Sequence, residues 1–71
     1  MSLNHEQYNR LERAVDRGER LALFRRGTEY IVIPSLLSTR NGREVIEARN
    51  PTTGDRLSLF VDELESIEVV G

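Results

Sequence analysis

Four arginines form the arrangement in this chain that most suggests a chemical task. Arg25 and Arg26 lie in "LFRRGTEYIVIP", and Arg40 and Arg43 flank Asn41-Gly42. Guanidinium forks match phosphate and carboxylate oxygens. Tyr30, shortly after the Arg25-Arg26 turn, could stack a nucleic-acid base if its ring stood exposed beside that charge. Arg20 could extend the patch, and binding of this kind would release counterions and depend steeply on salt. A plainer reading uses the same residues: arginines solvate a hairpin tip and keep strand ends from pairing with other chains. Glu29 and Glu44 stand nearby in the sequence and would neutralise the patch, which favours the plainer reading. Core packing is likewise the favoured role for Tyr30, since the chain has only two Tyr, two Phe and no Trp to fill an interior.

Other reactive side chains are scattered. His5 is the one histidine, and Asn9 occupies the position four residues on, where a helical metal pair would need a second ligand. Ser35, Ser38, Ser58 and Ser66 have no histidine placed to activate them. Asp62, Glu63, Glu65 and Glu68 make an acidic run, but it lacks the glycine-bearing spacing of a calcium loop. Arg10, Arg13 and Arg17 are interleaved with Glu6, Glu12, Asp16 and Glu19, as on a solvated, salt-bridged helix face. We therefore expect no enzymatic activity, no metal and no cofactor.

Composition sets the scale. Seventy-one residues suffice for one small domain, 1–71, with a thin core and a heavily charged skin: 38% of residues are hydrophobic and 31% charged. The net charge of −2 argues mildly against a nucleic-acid binder. All ten basic residues are arginine, a bias that a high-GC genome alone would produce. There is no cysteine, which excludes disulfides and thiolate chemistry. No apolar run approaches the length of a membrane helix, and no basic-then-apolar leader opens the chain. A cytoplasmic protein is expected, with no membrane partner.

These side chains must be positioned by elements that the patterning outlines. Asn4 and Gln7 have capping-box spacing, and Leu3 with Tyr8 suits a hydrophobic staple. Tyr8, Leu11, Ala14 and Val15 share one helical stripe, and Gly18 offers a left-handed stop, so a helix is predicted over about 5–17. After Gly18 the period drops to two. Leu21–Phe24, Tyr30–Ile33, Arg43–Arg49, Asp55–Val61 and Ser66–Val70 read as strands. Arg26-Gly27, Asn41-Gly42 and the Asn50–Gly54 stretch read as turns, with Asp62–Leu64 as a short helical turn. Pro34 is expected to close the second strand, leaving Leu36 and Leu37 in a loop. Five short strands on a flat sheet would leave both faces and both edges open. A barrel over about 20–70, plugged at one end by the helix, is the expected solution.

Four segments carry a family resemblance. "LERAVDRGERLALF", "YIVIPSLL", "EVIEA" and "LSLFVDELESIEVV" follow an order similar to SH3-like small barrels. They most resemble the Sm-like group and, within it, the WYL domain of bacterial regulators. Phe24 stands where those domains end the first strand in an aromatic, and Pro34 follows the second strand. Val61-Asp62-Glu63-Leu64 takes the place of the Leu-Asp-Arg-Ile-like segment. The resemblance implies a mainly β, α+β fold: a helix and then a five-stranded barrel. The chain also departs from it. Val45-Ile46-Glu47 stands near where the Trp-Tyr-Leu triplet would be, and Glu63 replaces an arginine that resembling domains often use to bind ligand. A carboxylate there repels phosphate.

The expected function is a binding or assembly module. Two adjacent leucines in a loop are hard to bury together, so Leu36 and Leu37 form the candidate interface for a protein partner or for self-association. The alternative is binding of nucleic acid or another anionic ligand through Arg25, Arg26, Arg40 and Arg43 with Tyr30.

Overall fold

The computed structural model describes residues 3–70. Helix α1 spans His5–Arg17, as its signals require. Asn4 Oδ1 accepts the Gln7 amide at 2.8 Å, and Gln7 Oε1 accepts the Asn4 amide at 3.4 Å. This capping box satisfies two of the amides that a helix start leaves free. Gly18 ends the helix at φ 66°, where a Cβ would be strained, and its N–H reaches Ala14 O. Leu11 and Ala14 are fully buried, while Tyr8 and Val15 pack at the margin of the same stripe.

Five strands follow: β1 Leu21–Arg25, β2 Thr28–Arg40, β3 Arg43–Arg49, β4 Arg56–Phe60 and β5 Ser66–Val69. A 3₁₀ turn, Val61–Glu63, joins the last two. The strands form one antiparallel sheet in the order β4-β3-β2-β1-β5. Both tight hairpins are two-residue turns with positive φ at each central position: Arg26 and Gly27 at 51° and 76°, Asn41 and Gly42 at 53° and 78°. That handedness matches the twist of the flanking strands.

Strand β2 differs most from the sequence reading. Pro34 does not close it. The strand runs on to Arg40, so Leu36 and Leu37 lie in a strand and not in a loop. Residues 28–32 pair with β1; residues 33–40 pair with β3, and the register shifts between Pro34 and Leu36. A bulge releases the local ladder, so the missing proline N–H costs nothing there. Thirteen residues of straight strand would span roughly 40 Å, yet the longest extent of the molecule is 29 Å. Strand β2 must therefore bend.

The bend curls the sheet. One buried cluster contains Leu21 and Leu23 of β1, Val32 of β2, Ile46 and Ala48 of β3, Leu59 of β4 and Ile67 of β5. In a flat sheet the outer strands β4 and β5 would stand roughly 19 Å apart, beyond side-chain reach. Leu11 and Ala14 of α1, with Val61 and Leu64, complete this interior. The expected helix and five-stranded antiparallel sheet are thus present. Backbone closure of the cylinder is not: among the described residues β4 pairs only with β3 and β5 only with β1. The chain between β4 and β5 is spent on the 3₁₀ turn, whose Val61 and Leu64 fill the gap with side chains.

Arg26 occupies a left-handed position without being Gly or Asn, a conformation that disfavours a Cβ by about 1–2 kcal/mol. Arg26→Asn is expected to stabilise the fold by about 0.5–1 kcal/mol, read as a higher urea midpoint at unchanged slope.

Candidate functional site

Because β2 bends, its two ends return to the same place. Arg25 pairs with Thr28 at the start of β2, and Arg43 with Arg40 at its end. Both arginines reach the 3₁₀ turn. Arg25 Nη1 lies 3.5 Å from Glu63 Oε1, and Arg43 Nη2 lies 3.3 Å from Glu63 Oε2. The fold does bring two arginines of the expected patch together, but with a carboxylate between them. Glu63 is thus the acid that links Arg25 of β1 to Arg43 of β3.

Arg43 is the most heavily engaged of the four. Its Nε and Nη2 donate to the two Asp62 carboxylate oxygens at 3.0 and 2.8 Å, a forked contact. The guanidinium lies 3.7 Å from the centre of the Phe60 ring. The Asp62 bond raises the Arg43 pKa further, and the Arg43 bond holds the Asp62 carboxyl below its ordinary value. Arg25 donates from Nη2 to the Tyr30 hydroxyl at 3.1 Å and sits 5.2 Å from its ring centre. One face of that half-buried ring is thereby occupied, and the ring packs against the core. Arg40 approaches Glu47 at 3.7 Å. Arg26 stands exposed on its turn, with no ion pair among the described residues.

Three of the four residues of the acidic run are likewise engaged. Asp62 and Glu63 take Arg43, and Glu65 Oε1 accepts the Gly27 amide at 3.4 Å. These partners stand 19 to 38 residues apart in the chain, so no local pattern announces them. A second cross-chain link joins the Tyr8 hydroxyl to the Glu44 carboxylate. It borders a cavity of about 260 Å³ walled by Leu3, Gly42, Arg43 and Asp62. The hydrogen bond to Glu44, then burial, then the charges of Glu44 and Glu12 push the Tyr8 pKa up to about 12.

The candidate leucines have different surroundings. Leu37 faces inward opposite Ile46 and packs on the core. Leu36 points the other way and is 51% exposed. A groove of about 270 Å³ runs beside them, walled by Val15 and rimmed by Glu12 and Asp16 of α1. On the other side of the β2 bend, Ile33, Val69 and Val70 line a shallow depression with Gly18 and Glu19. Val69, 44% exposed, and Leu36 are the exposed large hydrophobic residues among those described. The sequence reading missed this depression, and it also missed Arg49 and Arg56, which face each other across β3 and β4.

No described helix is long and apolar enough to cross a membrane. Comparison with protein-family models, with curated proteins and with solved structures returned no match.

Two titrations probe these links. Stability supplied by the Arg43–Asp62 pair is complete above the ordinary aspartate value of 3.8 and is lost as pH falls through the lowered folded value. Asp62→Asn is expected to flatten this acid limb in urea midpoints measured against pH. The Tyr8 contribution has the opposite sign: it is complete below 10.0 and is lost as pH climbs through about 12. In a Tyr30→Phe background, ultraviolet titration should find the remaining tyrosine ionising near 12, with Glu44→Ala moving it back toward 10.0.

Proposed function

We propose that this chain is a non-enzymatic assembly module whose partner is a second copy of itself. The observation that carries this reading is a pair of apolar patches flanking the β2 bend. Leu36 with Val15 lies on one side, and Ile33 with Val69 and Val70 on the other. The first abuts the C-terminal half of α1, and the second abuts Gly18–Arg20 just beyond it. Exposed apolar surface of this kind, rimmed by charge, marks contact sites. The rim favours a second copy as occupant. Glu12 and Asp16 border the groove, and Arg13 and Arg17 follow each by one position on the same helix. In a two-fold pair the acidic row of one copy can meet the basic row of the other, as isologous contacts require. The edges of β4 and β5, each paired on one side only, offer further surface for association.

The helix and the bent five-stranded sheet are compatible with the resemblance to SH3-like and Sm-like barrels, WYL domains among them, without being specific to it. They lend less support to the alternative function, recognition of nucleic acid or an anion through Arg25, Arg26, Arg40 and Arg43. Three of those four arginines are held by Glu47, Asp62 and Glu63. A reducing, cytoplasmic setting fits the cysteine-free composition.

Light scattering after size exclusion tests the reading. The wild-type chain is expected to be at least dimeric at high micromolar concentration. Leu36→Asp should weaken that association at least roughly tenfold, as burying a charge in an apolar contact costs several kcal/mol, with the circular dichroism spectrum unchanged. A wild-type monomer at that concentration rejects the proposal.

A further inference from the structure

The pairing of β3 with β4 sets Arg49 directly opposite Arg56. Residues so placed point to one face of the sheet, with Cβ atoms about 4.5–5.5 Å apart, and like charges there are destabilising. Arg40 and Arg43 are also opposed, but each has its own acid. Arg49 and Arg56 are both exposed and make no ion pair among the described residues. They border a depression of about 280 Å³ that also takes in Ser35 and Ser58. Ser35 sits at the β2 bulge, where its Oγ donates to Glu47 O at 3.0 Å. Ser58 has no hydrogen-bond partner for its hydroxyl among the described residues. Bulges commonly re-aim side chains beside binding sites.

We propose that Arg49 and Arg56 form a binding site for the phosphate group of a small phosphorylated ligand. Two arginines at opposed positions can supply the charge that balances a phosphate dianion and forked donors to its oxygens. The Ser58 hydroxyl adds a donor at the rim, and a bound dianion removes the mutual repulsion of the pair. A small ligand fits better than a nucleic-acid strand. Glu47 lines the same depression, and Asp55 adjoins Arg56 in the chain, so a polyanion leaving the site meets negative charge. The depression adjoins Leu36, which pairs with Glu47, but the two proposals rest on different residues and are read by different measurements.

Amide NMR titration of the full chain tests it, with inorganic phosphate and phenyl phosphate as probes at constant ionic strength against chloride. The expected result is a saturable shift centred on Ser35, Arg49, Arg56 and Ser58. Arg49→Gln and Arg56→Gln should each weaken it roughly tenfold or more, the scale of a lost charge-assisted bond, while Arg26→Gln leaves it unchanged. Without phosphate, Arg56→Gln should melt at or above the wild-type temperature, because it removes an opposed like charge. Shifts that do not saturate, or that Arg26→Gln weakens equally, overturn the site. Destabilisation by Arg56→Gln overturns its electrostatic basis. A short single-stranded oligonucleotide binding as tightly as phenyl phosphate overturns the small-ligand assignment.

Discussion

The bend in β2 is the constraint on which the rest of the molecule depends. A single strand serves β1 through one half and β3 through the other, and the register shift after Pro34 lets it turn between them. Without that turn, Leu59 of β4 and Ile67 of β5 could not share one interior. The helix would have no concave surface to cover. Arg25 and Arg43 would lie at opposite ends of a long strand and would not meet at Glu63. Packing, electrostatics and exposed surface all follow from one local departure from regular pairing.

That departure also explains what the sequence could not announce. Local signals were legible: Asn4 with Gln7, Gly18, Asn41-Gly42 and the apolar residues of Arg43–Arg49 each act over a few residues and each stands where expected. Pro34 misled because a proline normally ends a ladder, and its tolerance at a bulge depends on a neighbouring strand fourteen residues away at Ala48. With the strand continuing, Leu36 and Leu37 fall on opposite faces, so adjacent leucines need not be buried together. The arginine patch was legible as residue types but not as chemistry, since the acids of Arg25 and Arg43 arrive from the far end of the chain. Arg49 and Arg56 escaped notice for a related reason. Only the span of the Asn50–Asp55 turn sets them opposite one another.

The gap between β4 and β5 is bridged by different physics from the rest of the sheet. Elsewhere neighbours are joined by backbone hydrogen bonds, which are indifferent to side-chain identity. Here Val61 and Leu64 pack inward while Asp62 and Glu63 hold arginines from β3 and β1. Exposed ion pairs of this kind contribute little singly and are screened by salt. Their arrangement around one turn fixes its orientation more than it adds to stability.

Arg43 gives the arginine-only composition a local meaning. Base composition can explain why a chain carries no lysine, and at an exposed position such as Arg26 an ammonium would serve as well. At residue 43 it would not. A flat, delocalised cation lies on the Phe60 ring while its edge grips two carboxylates. A point charge on a flexible stem cannot present a face and a fork together, so at this one site arginine is a geometric requirement.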